Sequence, residues 1–297
     1  MRVGLIGLGH MGEPMARNLL KAFGPGEVLV HSRRRESAEA LLAEGAGWAE
    51  SPAELAAGCQ VVVLMLADTA KIRSIADGPD GLVAGAEAPL LAVVSSTISP
   101  GDMADLDRNW AGATDGRLRC IDAPVSGGVE GAAAGTLSIM VGAETAQFGV
   151  AEPVLAALGN PVRLGDLGAG QVAKACNQMI VAATTVALGE AALVAEGNGL
   201  DVTQLFDLLQ GGYAGSVLLQ VKGPQFAAHD HAPRGAAKFM VKDLGIAASA
   251  AAEAGLGLTQ LPVVASVYTG LTDAGLGEQD STVVQEFLAG NRSAEQD

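Results

Sequence analysis

A glycine loop near the N-terminus has the spacing of a phosphate-binding turn. Residues 7–12 are GLGHMG, a G-x-G-x-x-G pattern that follows an apolar run and precedes the helical pattern MARNLL. In such a loop the first glycine permits a tight turn, the second lets a pyrophosphate approach the backbone, and the third lets the helix pack against the strand. A glycine-rich turn without a ligand is the alternative. The predicted dinucleotide-binding residues are Gly7, Leu8, Gly9, His10, Met11 and Gly12.

The end of the second predicted strand indicates which dinucleotide fits. An NAD site usually has an acidic residue about 20 residues after the glycines, where it binds the ribose 2′-hydroxyl. Here that position is Ser32, and Arg33, Arg34 and Arg35 follow it. A hydroxyl and guanidinium groups suit a 2′-phosphate, whereas basic residues at a merely solvated helix start would oppose the helix dipole. We therefore predict NADP(H), bound by Ser32, Arg33 and Arg34, with NAD(H) as the alternative.

A lysine lies within an apolar helical pattern in the middle of the chain. In GDLGAGQVAKACNQM, the spacing of Lys174, Asn177 and Gln178 places them on one face of a helix. Lysine is uncommon on an apolar face unless it is paired or used in chemistry. Gly170 lies one turn before Lys174, and we expect it to leave a gap for a small ligand. An exposed lysine on a linker helix is the alternative, and the residues alone favour neither.

The stretch DAPVSGG, residues 122–128, ends in a serine and two glycines. Glycines expose backbone N–H groups, and successive N–H groups can form a nest that binds an anion. We therefore predict an anion site at Ser126, Gly127 and Gly128.

The first half of the chain alternates between two kinds of pattern. Short, apolar, β-branched runs predict buried strands, and helical patterns begin between them. The predicted strands cover residues 3–7, 28–30, 61–66, 90–96 and 137–142. The helical patterns begin near Met11, Glu36, Pro52, Ala70 and Gly101. This alternation indicates a parallel sheet with helices on both faces.

The second half of the chain has a helical pattern throughout. Strand signals stop after about Gly165, one apolar helix is predicted from about Ala169 to Gly197, and Asp201 opens the next helix. We therefore predict an α/β Rossmann-type N-terminal domain, residues 1–165, followed by an all-α C-terminal domain, residues 166–297, joined by that long helix.

Composition limits the partners and the location. The 297-residue chain has a formal net charge of −15, which disfavours nucleic acid and anionic membrane surfaces. We predict a strand rather than a signal peptide at MRVGLIGLG, and a core helix rather than a membrane span at 179–195. Three scattered cysteines fit a reducing compartment, so we expect a cytoplasmic protein. We predict no metal site, and we interpret His229 and His231 as loop residues.

Five segments together resemble the β-hydroxyacid dehydrogenase family, the relatives of 3-hydroxyisobutyrate dehydrogenase, tartronate semialdehyde reductase and the glyoxylate/succinic semialdehyde reductases. The resemblance covers nearly the whole chain, in order. The segments are GLGHMGEPMARNL, SSTISP (95–100), DAPVSGGVEGAAAGTLSIMVG, GAGQVAKACNQ and KFMVKDLGIA (238–247).

This resemblance implies an NAD(P)-dependent oxidoreductase that interconverts a small 3-hydroxy acid and its semialdehyde or keto acid. It implies that Lys174 is the catalytic acid and base, and that Asn177 helps to hold it and the substrate. The anion at Ser126, Gly127 and Gly128 would then be the substrate carboxylate. The further cofactor contacts that the resemblance implies are Thr97 beside the nicotinamide, Leu66 and Ala67 along the adenosine side, and Lys242 from the helical domain.

Two positions depart from the family pattern. The family usually has Asn-Asn after the lysine, whereas this chain has Asn177 and Gln178, and the longer glutamine would reshape the predicted substrate pocket. Before the segment 238–247 the family often has Pro-Gly-aromatic, and here the residues are Pro233-Arg234-Gly235. Both departures concern the substrate more than the reaction.

Two other functions are alternatives: an imine reductase on the same fold, and a dinucleotide-binding protein without catalysis. The imine reductases that the chain resembles usually lack a lysine at this helix position, so Lys174 favours the dehydrogenase. A non-catalytic protein need not keep Lys174 and the S-G-G stretch together. We also expect a homodimer or homotetramer, because the long apolar helices of the second half cannot all bury themselves within one chain.

Overall fold

The computed structural model describes residues 1–290, and the chain divides into two compact units, the second of which begins at Ala175. The strands of the first unit are β1 (Val3–Ile6), β2 (Val28–His31), β3 (Gly47–Trp48), β4 (Val61–Leu64), β5 (Leu90–Val94), β6 (Leu118–Asp122), β7 (Val125–Ser126), β8 (Leu137–Gly142) and β9 (Gly159–Gly165). Its helices are α1 (Gly12–Phe23), α2 (Glu39–Ala43), α3 (Pro52–Gly58), α4 (Thr69–Ala76), α5 (Leu82–Gly85), α6 (Pro100–Ala113), α7 (Gly128–Ala134) and α8 (Thr145–Ala156).

Within the described residues these strands form one sheet in the order β3-β2-β1-β4-β5-β6-β8-β7, with β9 paired to β8. Strands β1 to β6 pair in parallel, and β8 runs antiparallel to both β6 and β7. The chain leaves β1 towards β3 and then returns to place β4 on the other side of β1. At such a reversal, open α/β sheets bind ligands beyond the carboxyl ends of their strands.

Alternate residues of the central strands pack into two separate cores. On β4, Val61 and Val63 belong to a core shared with α1, α7 and α8. Val62 and Leu64, on the opposite face of the same strand, belong to a core shared with α3, α4 and α6. The helices therefore cover both faces of the sheet, which confirms the predicted α/β architecture.

A single long helix, α9 (Ala169–Gly197), begins in the first unit and continues into the second. Its bounds are those predicted from the sequence. By length and composition alone it could cross a membrane, a property that it shares with the core helices of soluble proteins. Fully buried side chains at Ala182, Thr185 and Ala192 make it part of the protein core over this stretch.

The second unit is helical, as predicted. It continues with α10 (Val202–Gln210), α11 (Val217–Ala228), α12 (Lys238–Glu253), α13 (Gln260–Asp273) and α14 (Val284–Gly290). The Asp201 carboxylate accepts the Gln204 N–H at 2.9 Å, so it caps α10 as expected. The core contains Phe206, Phe226 and Tyr268.

Four strands were not predicted, and each lacks the apolar β-branched run that marks the others. β3 and β7 have two residues each, and β9 is largely exposed and contains Pro161. β6 carries Arg119 inside the sheet, where it pairs with the Asp107 carboxylate at 2.9 Å. That partner lies on α6 and therefore could not be read from the strand itself.

Candidate active site

The glycine loop after β1 uses its three glycines in three different ways. Gly7 has a φ of +105°, and a Cβ there would lie 2.2 Å from the Met65 carbonyl oxygen. A Cβ on Gly12 would lie 1.8 Å from the Gly7 carbonyl oxygen, so only glycine lets α1 begin this close to the strand. Apart from its two chain neighbours, no described residue has an atom within 4 Å of a Cβ on Gly9. The open space in front of Gly9 fits a pyrophosphate that approaches this backbone.

The other predicted cofactor loops follow the neighbouring parallel strands. Leu66 and Ala67 come after β4, and Thr97 comes after β5. The Leu66 N–H donates to the Ser96 hydroxyl at 2.8 Å, which ties these two loops together. In the glycine loop, Leu8 and Met11 pack partly against the core and His10 is exposed. The carboxyl edge of the sheet therefore brings together the predicted cofactor residues of β1, β4 and β5.

The three consecutive arginines after β2 are not equivalent. Arg35 pairs with the Glu50 carboxylate at 2.9 Å, and its guanidinium carbon lies 5.4 Å from the centre of the Trp48 ring. Arg33 and Arg34 are exposed, and neither makes an ion pair within residues 1–290. Ser32 beside them is partly buried. The structure therefore leaves Arg33 and Arg34 available for a phosphate, while Arg35 has a structural role.

The S-G-G stretch lies where β7 gives way to α7. Gly127 and Gly128 have φ values of +135° and +65°, conformations that favour glycine. Helix α7 begins at Gly128, and the N–H groups of a first helical turn have no partner inside the helix. A Cβ on Gly128 would lie 3.0 Å from a carboxylate oxygen of Glu130. The predicted anion site therefore has a negative side chain beside it, which the sequence analysis did not anticipate.

Lys174 lies near the start of α9 and is buried, with only 8% of its surface exposed. It is therefore not the exposed residue of a linker helix. Asn177 follows three residues later on the same helix, and this spacing places both on one helical face. The predicted catalytic roles of Lys174 and Asn177 stay predictions.

Gln178, predicted to bind substrate, is part of a polar chain within the second unit. Its side-chain oxygen accepts the Asn177 amide at 2.9 Å, and its nitrogen donates to the Asp243 carboxylate at 2.6 Å. Asp243 is buried and also pairs with the Lys242 ammonium at 2.9 Å. These contacts orient Asn177 through Gln178 and Lys242 through Asp243. Asp243 was not predicted from the sequence. The contact of Lys242 with a cofactor and of Gln178 with a substrate stay predictions.

Gly170 does not leave the gap that the helical spacing suggested. A Cβ there would lie 2.2 Å from the Met140 carbonyl oxygen and 2.8 Å from a carboxylate oxygen of Asp122. Glycine is needed because α9 packs directly against β8 at this point. The expectation of a ligand space at Gly170 was wrong, since periodicity gives the face of a helix but not what lies against it.

Asp122, the last residue of β6, is a buried carboxylate at the start of α9. Its oxygens accept the Gly168 N–H at 2.6 Å and the Gln171 N–H at 2.7 Å. Burial raises the pKa of Asp122 to about 6, and the hydrogen bonds from Gly168 and Gln171 oppose that rise. Asp122 was not predicted as a site residue, although an acid at the end of an apolar run is a signal for one.

The remaining polar residues of interest have structural partners. His229 pairs with the Glu196 carboxylate at 2.9 Å, and His231 hydrogen-bonds the Thr282 hydroxyl at 3.0 Å. Among residues 1–290, no group of three His, Cys, Asp or Glu residues is arranged to hold a metal ion.

Two protein-family models match the chain and together cover almost all of it. The NAD-binding domain of 6-phosphogluconate dehydrogenase matches residues 2–180. The NAD-binding domain of NADP-dependent 3-hydroxyisobutyrate dehydrogenase matches residues 168–288.

Individual proteins of known sequence or structure agree with these models. The chain is 35% identical to an NAD-dependent L-serine dehydrogenase of Pseudomonas aeruginosa, over 97% of both chains. It superimposes on the crystal structure of 3-hydroxyisobutyrate dehydrogenase from Salmonella typhimurium with a TM-score of 0.87 and 29% identity, covering 96% of this chain and 99% of that one. An imine reductase of Streptomyces aurantiacus shares the fold at a TM-score of 0.65 and 21% identity, over 97% of this chain and 99% of that one. The chain therefore belongs to the β-hydroxyacid dehydrogenase family and is an oxidoreductase that uses a nicotinamide dinucleotide.

Proposed function

We propose that the protein is an NADP(H)-preferring dehydrogenase that interconverts a small 3-hydroxy acid and its semialdehyde or keto acid, with Lys174 as the acid and base. The observation that carries the proposal is the burial of Lys174 on a helix whose start is fixed to the sheet by Asp122. That sheet also carries the glycine loop.

The chain has a fitting set of groups for the cofactor. The glycine loop would hold the pyrophosphate, because the space in front of Gly9 is open. Ser32, Arg33 and Arg34 would bind the 2′-phosphate. When bound, the nicotinamide ring supplies or accepts the hydride.

The chain itself would hold the substrate and move the proton. The N–H groups at Ser126–Gly128 would bind the substrate carboxylate, and Asn177 would help to orient the reacting oxygen. In the reducing direction the Lys174 ammonium would donate a hydrogen bond and then a proton to the carbonyl oxygen. In the oxidising direction the neutral amine would take the hydroxyl proton. A general acid of this kind typically contributes about 10²–10⁴ in rate.

The central test follows the absorbance of NADPH with a panel of small semialdehydes, keto acids and 3-hydroxy acids. Lys174→Ala is expected to lose at least about 100-fold in turnover while it still binds NADPH by fluorescence titration. Lys238→Ala is the control, because Lys238 is a half-buried lysine that pairs with Glu278. A Lys174→Ala enzyme with full turnover would contradict the acid and base role.

The two alternatives give different results in the same assay. Turnover of cyclic imines without turnover of any aldehyde or hydroxy acid would favour an imine reductase, the fold of which this chain shares. Tight NADPH binding with no turnover of either class would favour a non-catalytic dinucleotide-binding protein.

The cofactor preference is tested within the arginine cluster itself. Replacing both Arg33 and Arg34 with Ala is expected to weaken NADPH binding at least about 10-fold and to leave NADH binding nearly unchanged. Arg35→Ala is the matched control, because Arg35 pairs with Glu50 and lies on Trp48. Equal losses for NADPH and NADH would contradict the 2′-phosphate role.

We also propose that the protein forms a homodimer or homotetramer through its second unit. Several large apolar side chains are exposed on that unit, including Ile180, Val194, Leu208, Val217 and Val263. An association site would require these side chains to form one contiguous apolar patch. Sedimentation velocity across a concentration series measures the assembly, and a monomer at all concentrations would contradict it.

A further inference from the structure

Gln171, in the first turn of α9, uses both ends of its side-chain amide. Its nitrogen donates to the Ser96 carbonyl oxygen at 2.8 Å, and its oxygen accepts the Ile98 N–H at 3.2 Å. Gln171 is fully buried. Ser96 and Ile98 flank Thr97, so one side chain holds the backbone on both sides of Thr97.

Asp122 holds the same helical turn from the sheet. It accepts the backbone N–H groups of Gly168 and Gln171 at 2.6 and 2.7 Å. A Cβ on Gly142 would lie 2.4 Å from an Asp122 carboxylate oxygen, so the carboxylate is packed directly against the β8 backbone. The start of α9 therefore cannot move along the sheet without breaking these hydrogen bonds.

Lys174 lies within one turn of Gln171 on the same helix, so its backbone position is set by the turn that Gln171 and Asp122 hold. We propose that Gln171, supported by Asp122, is a positioning residue that keeps Thr97 and Lys174 in a fixed relation to each other. This inference rests on the proposed function, in which Thr97 borders the nicotinamide and Lys174 transfers the proton. Hydride and proton must reach the same carbonyl group, and a displacement of about 1 Å can cost about 100-fold in rate.

A primary amide is the group that this position requires. It must donate to the Ser96 carbonyl and accept from the Ile98 N–H at the same time, and a carboxylate has acceptors only. Gln171→Glu would therefore keep the Ile98 bond and lose the Ser96 bond. Gln171→Met, similar in length, would lose both.

The experiment compares Gln171→Met and Gln171→Glu with a matched buried glutamine, Gln285→Met. Gln285 is fully buried in the second unit and donates to Glu196 at 3.1 Å. For Gln171→Met we expect kcat to fall about 10- to 100-fold, with a change of less than about 3-fold in the KM for NADPH. Gln285→Met is expected to lower the melting temperature without changing kcat.

A second measurement does not depend on activity. Hydrogen–deuterium exchange of the cofactor-free protein is expected to be faster across residues 96–99 in Gln171→Met, and the Ile98 amide should stay protected in Gln171→Glu. The segment should exchange at the wild-type rate in Gln285→Met. If Gln171→Met does not fold, Gln171→Glu supplies both measurements. Its kcat should fall, and exchange should be faster at the Thr97 amide, which shares a peptide group with the released Ser96 carbonyl, and not at Ile98.

The possible failures can be told apart. Unchanged kcat in a folded Gln171→Met enzyme, or unchanged exchange across 96–99, would overturn the positioning role and leave the proposed reaction intact. Full turnover by Lys174→Ala would instead overturn the proposed function. Faster exchange with unchanged kcat would reduce Gln171 to a purely structural residue and so would also overturn the proposal.

Discussion

The glycine loop at residues 7–12 and the S-G-G stretch at 126–128 both precede a helix, but they are built differently. In the first loop, a Cβ on Gly7 or Gly12 would collide with carbonyl oxygens of the backbone. In the second, the nearest atoms to a Cβ on Gly127 or Gly128 are side-chain atoms at 3.2 and 3.0 Å. Close backbone contacts require glycine at Gly7 and Gly12 of the first loop, whereas positive φ angles favour glycine at Gly127 and Gly128 of the second.

This difference matches what each loop is proposed to bind. A pyrophosphate has the same shape in every dinucleotide, so a loop with one rigid conformation suits it. Substrates differ among relatives, as the names L-serine dehydrogenase and 3-hydroxyisobutyrate dehydrogenase show. At Gly128 the close neighbour is the exposed Glu130 side chain, so this part of the loop can change without disturbing the sheet.

The largest effect is expected from Gly12→Ala, which would disrupt the glycine loop at residues 7–12. Gly12→Ala places a Cβ against the Gly7 carbonyl, and we expect a loss of at least about 3 kcal/mol in unfolding free energy, with NADPH binding lost. Gly9→Ala is the matched control, because within residues 1–290 its Cβ would contact no residue other than its chain neighbours. We expect it to keep wild-type stability and to bind NADPH about 10- to 100-fold more weakly, because its methyl group would occupy the ligand space. Chemical denaturation and fluorescence titration measure the two effects, and an unstable Gly9→Ala would contradict this division.

The next effect concerns Asp122, the residue with which the DAPVSGG stretch begins. Its pKa is about 6 in the folded protein and 3.8 as a free side chain, so the folded state holds the proton more tightly. The stabilising contribution is therefore complete below about pH 4 and is lost as the pH rises through about 6. Relative to Asp122→Asn, the wild type should lose about 3 kcal/mol between these limits. Denaturant titrations of both proteins at a series of pH values test this, and a constant difference would refute it.

A smaller effect is expected at the second glycine of the S-G-G stretch. Gly128→Ala places alanine at a φ of +65°, which costs roughly 1–2 kcal/mol. Among residues 1–290 its methyl group meets the exposed Glu130 side chain. We expect a stable protein whose KM for the carboxylate substrate rises about 10-fold while NADPH binding is unchanged. A weaker NADPH affinity in this variant would show that the two loops are not independent.

The smallest effect is expected from a change of charge beside the S-G-G stretch. Glu130→Gln removes the negative charge beside Gly128 and keeps the shape of the side chain. Because Glu130 is exposed and screened, we expect only about a 2- to 5-fold fall in the KM of an anionic substrate, and a smaller effect at high salt. An uncharged substrate analogue is the control, since its KM should not change.

The sequence predicted those parts of the fold and site that depend on neighbours along the chain. Local apolar patterns predicted strands at 3–7 and 61–66, and the structure has them at Val3–Ile6 and Val61–Leu64. The bounds of α9 are those predicted. The close backbone contacts that require glycine at positions 7 and 12 could be predicted because the G-x-G-x-x-G spacing is typical of this turn.

Residues whose partners lie far away in sequence could not be found in that way. Asp122 meets Gln171 across 49 positions, and Gln171 meets Ser96 across 75. Asp243 meets Gln178 across 65. Nothing in the local pattern specifies such pairs, because they depend on how strands and helices pack. The wrong expectation for Gly170 has the same origin.

The outer strand β9 also has a consequence for solubility. Among residues 1–290, β9 has β8 on one side and no strand on the other, and its Val162 and Leu164 side chains are exposed. A free strand edge of this kind can recruit a strand from another molecule and seed aggregates. Pro161 removes one N–H group from the edge and interrupts the hydrogen-bond ladder that an incoming strand would need. Pro161 therefore reduces the number of hydrogen bonds that a strand from another molecule could form with this edge.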